Sequence, residues 1–295
     1  MLDPELLELA PAAPRRSGVR RLVRQWTFMV PAAVIAVLLV VSLFPSVFAG
    51  IFGNGDPRVC DLYRSAGNPT AGHPFGFDTQ GCDVYANVVY GARSSIVVGL
   101  TATAISVSIA LILGVIAGFF GGGFDQVVSR LTDIFLGFPF ILGAVVVLNS
   151  VGSRNALSVS VVLGIFGWPT MARLVRGSVR SVAGLDYVLA ATTMGLSRLR
   201  IITRYVLPNA ISPVLIFATI SIGVVIVAES TLTYLGVGLA PPAISWGLQI
   251  AAGSRHFQTS PHMLLYPSIF LAITVLCVIV FGEGLRAAFD PRRHQ

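Results

Sequence analysis

The chain contains no lysine among its 295 residues, and all 20 of its basic side chains are arginine. This absence excludes a Walker A loop, whose lysine reaches the phosphates of a nucleotide, and any Schiff-base chemistry on lysine. Charged residues make up only 11% of the sequence, whereas 55% of it is apolar and its mean hydropathy is +0.82. This composition predicts an integral membrane protein rather than a soluble domain.

Residues that carry catalysis or bind metals are also scarce. The four histidines are dispersed, and neither an HExxH motif nor a His/Cys cluster is present. No Gly-x-Ser-x-Gly elbow supports an intramembrane hydrolase. We therefore expect no catalytic residue, no cofactor and no metal in this chain. The net charge of +7 is better explained by arginines at the ends of membrane helices than by a nucleic-acid partner.

Long apolar runs predict an all-α protein with six transmembrane helices, because a span needs about 20 predominantly apolar residues. The first run is too long for the apolar part of a signal peptide, so we expect it to be retained. Pro139 and Pro169 fall inside the third and fourth spans, where neighbouring helices make kinks tolerable. The predicted spans are residues 26–48, 95–120, 131–148, 157–171, 210–235 and 263–282.

Arginine placement predicts the orientation, since cytoplasmic loops carry an excess of positive charge. Fifteen arginines fall on one side of the predicted spans and five on the other, which places both termini in the cytoplasm and the protein in the cell membrane. The cytoplasmic set is Arg15, Arg16, Arg20, Arg21, Arg24, Arg130, Arg173, Arg176, Arg180, Arg198, Arg200, Arg204, Arg286, Arg292 and Arg293.

The same pattern divides the chain into segments. Residues 1–25 form a cytoplasmic N-terminal segment, and 286–295 form a cytoplasmic tail. The extracytoplasmic loop 49–93 is rich in Gly, Pro, Asn and Asp, so we expect an ordered loop with little regular structure. Residues 94–285 are the transmembrane core, in which the outer loop 236–262 suits a short interfacial or re-entrant excursion. Asp125, Arg130 and Asp133 are expected to pair with one another at the start of the third span.

Residues 184–207 interrupt the apolar helices with a polar segment. Its arginines would each cost about 2.5–3.5 kcal/mol at the bilayer centre, so it lies in the aqueous phase. Asp186 is a suitable N-cap, and Gly195 suits the left-handed position after a helix. Ser197 is expected to cap a second helix, which Pro208 closes.

The short helix of this segment presents apolar and small side chains to water. Leu189, Ala190 and Thr193 share one of its faces. Such a surface is unusual unless something covers it, so a docking site for a partner is favoured over a solvated loop.

The segment resembles the coupling loop of ABC importer permeases, whose pattern is Glu-Ala-Ala, three residues, Gly, then nine residues to Ile-x-Leu-Pro. Two letters depart from that pattern, since Leu189 replaces the glutamate and Tyr205 replaces the isoleucine. Asp186 or Tyr187 are alternatives for the polar contact that the glutamate would make. By this resemblance the ATPase-coupling residues are Asp186, Tyr187, Leu189, Ala190, Ala191, Met194, Gly195, Leu207 and Pro208.

Three further segments resemble dipeptide, oligopeptide and nickel permeases, and the last two indicate the C-type subunit. The resemblance extends from about residue 20 to residue 293. The segments are His73-Pro74-Phe75-Gly76-Phe77-Asp78 through Tyr90-Gly91-Ala92-Arg93-Ser94-Ser95, Leu235-Gly236-Val237-Gly238 with Pro241-Pro242 and Ser245-Trp246-Gly247, and Gly282-Glu283-Gly284-Leu285-Arg286 with Phe289-Asp290-Pro291-Arg292.

This resemblance implies a type I ABC importer permease fold and a heteromeric importer of di- or oligopeptides. A homologous B-type permease would form the other half of the pore, within membrane lipid. Two ATP-binding subunits, or one fused ATPase, would hold ATP and Mg²⁺, and an extracytoplasmic solute-binding protein would deliver the substrate. Nickel, glutathione and haem are alternative cargoes in the family. Among other classes, an ion-coupled secondary transporter is the chief alternative, although neither inverted repeats nor midplane ionisable residues are found.

Glu229 is the only acidic residue in the apolar part of the fifth span, where ionisable residues are functional candidates. Together with Ser230 and Thr233 it could line the translocation path or a gate. It could equally tie the helix end to the outer loop.

Cys60 and Cys82 both fall in the predicted outer loop, in an oxidising compartment. Their position predicts a disulfide bond.

Overall fold

The computed structural model describes residues 26–53 and 55–289. The segment 1–25 and the tail from residue 290 lie outside the described residues, so the predictions made for them stay predictions. Regular structure in the described chain consists of α-helices with short 3₁₀ and π turns. The α-helices are α1 Trp26–Leu43, α2 Pro45–Ala49, α3 Val84–Phe120, α4 Gly122–Gly137, α5 Phe140–Val151, α6 Ala156–Ala183, α7 Asp186–Thr193, α8 Arg198–Ile201, α9 Leu207–Ala210, α10 Ser212–Tyr234, α11 Trp246–Ser254 and α12 His262–Phe289.

The number of membrane helices agrees with the six predicted spans if α4 and α5 form one span. Five helices, α1, α3, α6, α10 and α12, are long and apolar enough to cross a bilayer, and α4 with α5 makes a sixth if the bent pair is one span. The most extensive helix pairing joins α3 to α6, while α10 packs on α12 and α3, and α1 packs on α12.

Helix α3 begins earlier than predicted. It starts at Val84 rather than at residue 95, because Asp83 caps it by accepting a hydrogen bond from the Tyr85 backbone N–H at 2.8 Å. Its first turns carry polar residues that lower the hydropathy, yet Val84, Val88 and Ala92 recur at helical spacing and enter a buried cluster. At 37 residues the helix is about 55 Å long, so it extends beyond the hydrocarbon on at least one side.

The third predicted span, residues 131–148, is two helices and not one kinked helix. Helices α4 and α5 meet at 86° around Phe138 and Pro139. Phe138, which precedes the proline, has an extended backbone with φ −88° and ψ 134°, as steric contact with the proline ring favours. Pro139 has no N–H to continue the helical hydrogen bonds, so α5 starts afresh after it.

The aspartates of helix α4 form ion pairs with arginines of α6 and not with Arg130 of α4 itself. Asp133 pairs with Arg173, and Asp125 pairs with Arg176, so the predicted pairing with Arg130 is wrong. The two aspartates are eight residues apart on α4, but their partners are only three apart on α6. Both aspartates of α4 are therefore bound by arginines of the same helix, α6.

Helix α6 runs through Pro169 and continues past the end of the predicted span to Ala183, as the sequence predicts. Two glycines of α3 allow α6 to approach closely. A Cβ added to Gly114 would lie 2.7 Å from the Cβ of Val175, and one added to Gly118 would lie 2.8 Å from the Arg176 carbonyl oxygen. This contact carries the most extensive helix pairing in the described chain.

Candidate functional site

The polar segment after α6 forms the short helix α7, Asp186–Thr193, as the sequence predicts. Its N-cap is Leu185 and not Asp186, so that prediction is wrong by one position. Asp186 lies in the first turn, where its carboxylate interacts favourably with the helix dipole. Gly195 follows the helix with φ +75°, in the left-handed region that was predicted for it.

One face of α7 is anchored to the rest of the molecule. Val188 and Ala191 are 2% and 4% exposed, and they pack with Val175 and Val179 of α6 and with Ile201 of α8. Ala191 was predicted to contact an ATPase, but its burial in this cluster makes it an anchor instead. Helix α7 therefore packs directly against α6 and α8.

The opposite face of α7 and its flanks form an exposed apolar patch, which we call the coupling patch. Leu189 is 52% exposed and Met194 is 80% exposed, and Ala190 is also exposed. Large apolar side chains at this exposure on a polar segment indicate a protein-contact surface. The coupling patch consists of Leu185, Tyr187, Leu189, Met194 and Leu199.

Arginines surround the coupling patch. Arg198, Arg200 and Arg204 are exposed, and no carboxylate of the described residues lies within 4.0 Å of them. The guanidinium of Arg198 lies 5.8 Å from the ring centroid of Phe120, at the end of α3. This end of the molecule, called the arginine end below, is therefore strongly basic.

The second helix of the segment does not end at Pro208. After α8 the chain makes one π-helical turn, Ile202–Val206, in which the Leu207 N–H donates to the Ile202 carbonyl. Pro208 then lies in the first turn of α9, where its missing N–H costs nothing. Leu207 is half-buried and Pro208 exposed, so the predicted coupling residues lead directly into the membrane helix α10.

Glu229 lies in α10 and is fully buried within this chain, with 0% of its surface exposed. Three hydroxyl groups donate to its carboxylate, from Thr233 at 2.9 Å, Ser230 at 3.2 Å and Ser95 of α3 at 3.3 Å. Thr233 Oγ1 in turn accepts a hydrogen bond from the Leu239 N–H in the following loop. This geometry favours a structural role, in which Glu229 ties the end of α10 to the following loop, over a role in a gate. The reason is that no part of the Glu229 surface is exposed.

The opposite end of the molecule carries residues 50–83 and the loop 236–262, and we call it the disulfide end. The structure joins Cys60 and Cys82 by a disulfide bond with an S–S distance of 2.01 Å. Cys277 is a free, buried thiol in α12. The predicted re-entrant excursion contains α11, whose fully buried Trp246 donates from Nε1 to the Val88 carbonyl of α3 at 3.0 Å.

Several polar residues at the disulfide end were not singled out from the sequence. His73 Nδ1 lies 2.7 Å from Oδ2 of Asp83, whose side chain is fully buried at the start of α3. Arg64 Nη1 lies 3.2 Å from the other ring nitrogen of His73. The contact joins residues that are ten apart in an irregular loop. The only sequence signal for it is that His73 precedes Asp83, the N-cap of α3, by this short distance.

Comparison with known proteins places this geometry in a family. Residues 110–295 match the family described as "Binding-protein-dependent transport system inner membrane component". The oligopeptide transport system permease protein OppC of Bacillus subtilis is 33% identical over 256 residues, covering 87% of this chain and 84% of that protein. The glutathione transport system permease protein GsiD of Pectobacterium atrosepticum is 31% identical over 289 residues, covering 98% and 95%. A chain of the MetNI methionine ABC transporter in an inward-facing conformation matches with a TM-score of 0.56 at 20% identity, covering 69% of this chain and 97% of that one.

The apolar helices and the likeness to the methionine transporter chain define a multi-pass membrane protein with the type I ABC importer fold. The chain belongs to the binding-protein-dependent transport system inner membrane components. The resemblance stated from its sequence motifs is therefore confirmed.

Proposed function

We propose that this chain is the C-type permease subunit of an ATP-driven importer that moves di- and oligopeptides across the cytoplasmic membrane. The observation that carries the proposal is the anchored helix α7 with its exposed coupling patch. The names of the similar permeases, for oligopeptides and glutathione, support a peptide as the cargo.

The orientation follows from charge. The arginine end faces the cytoplasm, so both termini are cytoplasmic and the disulfide end faces outward. The oxidising outer compartment is consistent with the disulfide of Cys60 and Cys82.

The proposed partner subunits supply the nucleotide-binding sites, the other half of the pore and the capture of the substrate. Two ATP-binding subunits, or one fused ATPase, hold ATP and Mg²⁺ and cover the coupling patch. A homologous B-type permease completes the pore, and an outer solute-binding protein delivers the peptide. Nucleotide binding can drive alternating access only if it favours one conformation over the other, and α7 carries that difference to α6 and α8 through Val188 and Ala191.

Coupling in this chain depends on apolar contact. Leu189 stands where related permeases carry glutamate, and it is half exposed at the centre of α7. Asp186 and Tyr187 are exposed on the same helix and supply the polar contacts.

Reconstitution of the complete complex in proteoliposomes tests the function. We expect uptake of labelled di- and tetrapeptides that requires ATP and binding protein, and no uptake by this chain alone under an ion gradient. Nickel ion and haem in parallel assays test the alternative cargoes. Uptake by the isolated chain would contradict the proposal and favour a secondary transporter.

Crosslinking tests the coupling contact directly. With Cys277→Ser as background, a cysteine at Met194 should crosslink to an ATP-binding subunit in the active complex. A cysteine at Leu276, 62% exposed on α12, is the matched control and should not crosslink. An active complex in which neither position captures the ATPase would contradict the proposed role of α7.

A further inference from the structure

The segment that carries the coupling patch has a strong positive charge. Between residues 177 and 209 its only acid is Asp186, and its basic side chains are Arg180, Arg198, Arg200 and Arg204. All four arginines are exposed, and no carboxylate of the described residues lies within 4.0 Å of their guanidinium groups. The positive charge of this segment is therefore not neutralised within the part of the chain that the structure describes.

The single turn of α8 places arginines on both sides of an exposed leucine. Ile201 is 1% exposed and belongs to the buried cluster that anchors α7. Because successive residues of a helix are about 100° apart, Leu199 lies opposite Ile201, and Arg198 and Arg200 lie on the two flanks. Leu199 is 72% exposed and is part of the coupling patch. Positive charge therefore borders the apolar patch directly.

Local contacts keep this turn beside α7. Gly195, with φ +75°, ends the helical path of α7, and the Leu196 N–H donates to the Ala191 carbonyl at 3.3 Å. The guanidinium of Arg198 also lies 5.8 Å from the ring centroid of Phe120. A cation–π contact orients a guanidinium without neutralising its charge. The coupling patch and its arginines thus form one continuous surface.

The chemistry of this surface specifies the chemistry of its partner. Protein interfaces combine an apolar centre with a polar rim, and complementary charges on the two rims steer association. Leu189 at the middle of α7 supplies no charge, and Asp186 is the only acid nearby in the sequence. A matching partner therefore needs an apolar contact with carboxylates around it.

The length of α6 favours a cytoplasmic protein over lipid as this partner. Helix α6 has 28 residues, which corresponds to about 42 Å. A bilayer with its headgroups is about 40–45 Å thick. If the polar residues Arg154 and Asn155 before α6 mark the outer edge of the hydrocarbon, α7 and α8 follow at the cytoplasmic edge of the headgroups or beyond it.

We propose that the ATP-binding subunit presents carboxylates to Arg198, Arg200 and Arg204, so that ion pairs surround the apolar contact at the coupling patch. In this contact the permease supplies the positive charge and the ATPase the negative charge. The inference rests on the proposed function for its choice of partner. It adds to that function the chemistry of the ATPase surface and a dependence of the contact on salt.

Dilution of the complete complex tests the charge of the contact. The complex is placed in nanodiscs of phosphatidylcholine, and the dissociation constant of the ATP-binding subunit is obtained from the fraction that stays bound. Salt screens exposed ion pairs, so we expect this constant to rise about tenfold between about 0.05 M and about 0.5 M salt. A dissociation constant that does not change over this range would overturn the proposal.

A triple glutamine variant assigns the effect to the arginines beside the patch. Glutamine at positions 198, 200 and 204 should raise the dissociation constant at low salt about tenfold and remove most of its salt dependence. Glutamine in place of Arg58, Arg93 and Arg255 is the control, because these exposed arginines lie towards the disulfide end and the net charge changes equally. Equal loss of affinity in the two triple variants would overturn the proposal.

Two further substitutions separate charge from shape. Lysine at positions 198, 200 and 204 keeps the charge and should keep the salt dependence of the parent. Arg200→Glu should weaken binding more than Arg200→Gln, and a lysine in place of one acid of the ATP-binding subunit should restore it. Loss of the salt dependence in the lysine variant, or failure of every such acid replacement to restore binding, would overturn the proposal.

Anionic lipid is the alternative partner for these arginines, and the same variants test it. The complex is placed in nanodiscs that contain phosphatidylglycerol, and bound lipid is counted by native mass spectrometry. We expect the triple glutamine variant to retain as much phosphatidylglycerol as the parent. Loss of this lipid together with unchanged affinity for the ATPase would overturn the proposal and assign the arginines to the membrane.

The uptake and crosslinking assays keep the two proposals separate. A complex that imports peptides and crosslinks from position 194, yet binds its ATPase equally at all salt concentrations, would refute the inferred charge pattern alone. A complex that binds its ATPase through the arginines but imports no peptide would refute the proposed function and leave the charge pattern standing.

Discussion

Glu229 illustrates how neighbours decide the role of a single residue. Along the chain it is an acid in an apolar helix, which predicts a place in the transport path or a tie to the loop. In the folded chain, hydroxyl groups from α3 and α10 surround its carboxylate, and none of its surface is exposed. The tie is favoured because Glu229 is fully buried and because Thr233, which donates to it, also accepts from the Leu239 N–H of the outer loop.

Replacement of Glu229 separates these two roles. Glu229→Gln keeps an acceptor for Thr233, so we expect a thermal unfolding midpoint close to that of the parent complex and retained peptide uptake. Glu229→Leu leaves buried hydroxyls unpaired and should destabilise the chain by about 1–3 kcal/mol for each unsatisfied group. A Glu229→Gln complex that folds normally but transports nothing would instead support a gate.

The role of Gly114 depends on α6, the helix that packs against it. An alanine there would force apart α3 and α6, so Gly114→Ala should lower stability by about 1–3 kcal/mol through overpacking. Gly177→Ala in α6 is the control, because no atom lies within 4 Å of its added Cβ. Alanine is the better helix former, so the control should be neutral or stabilising by up to about 1 kcal/mol. Thermal unfolding of both variants checks the difference, and equal destabilisation would refute it.

At the scale of elements, the short helix α7 has one buried face and one exposed face. Val188 is 2% exposed, and its neighbour Leu189 is 52% exposed. The sequence predicted the helix and its glycine cap, since both depend on residues close along the chain. It did not predict which alanine is buried, because that depends on α6 and α8.

Aspartate at these two adjacent positions should give opposite phenotypes. Val188→Asp buries an uncompensated charge, so we expect loss of folded protein, measured by size-exclusion chromatography and thermal unfolding. Leu189→Asp should leave the permease folded but lower its affinity for the ATPase at least tenfold, measured by co-purification and by coupled ATPase activity. Normal ATPase binding by Leu189→Asp would show that the coupling patch is not the contact.

The loop before α3 is an element with little regular structure, so covalent closure contributes much of its order. The bond between Cys60 and Cys82 joins residues 22 apart. A loop of this size is expected to gain about 2–4 kcal/mol from closure. Replacing both cysteines by serine should make residues 50–83 sensitive to proteolysis while α3 stays resistant. Equal protease resistance before and after replacement would show that hydrogen bonds alone, such as that between His73 and Asp83, hold the loop.

At the scale of the whole molecule, the two ends differ in chemistry. The arginine end is basic with an apolar patch, and the disulfide end holds the buried carboxylate of Asp83 and the bond between Cys60 and Cys82. Helix α3 connects them, since Val84 belongs to a cluster at one end and Phe120 contacts Arg198 at the other. This polarity underlies the proposed orientation.

Labelling of single cysteines tests that orientation. In the Cys277→Ser background, cysteines replace Phe257, 51% exposed at the disulfide end, and Met194 at the arginine end. A membrane-impermeant maleimide should label position 257 from outside intact cells and position 194 only in inverted vesicles. The reverse pattern would overturn the predicted topology. Folding controls come from peptide uptake by both variants.

Local features of the sequence predicted the membrane class and the family correctly, and the predicted disulfide agrees with the structure. The six predicted spans agree with the structure if α4 and α5 form one span, and the role of the coupling segment stays a prediction. These features depend on apolar length, the placement of arginines, and short motifs, all of which are local along the chain. Pro139 was recognised as an interruption, but hydropathy contains no angle, so the 86° turn between α4 and α5 did not follow.

The contacts between distant groups follow from the packing of the helices and were not predicted. The pairing of α4 with Arg173 and Arg176 and the burial of Ala191 and Glu229 depend on residues from different helices and loops. Hydropathy and motif spacing describe neighbours along the chain, whereas these contacts depend on how helices pack, because burial and charge compensation are properties of the whole packed bundle.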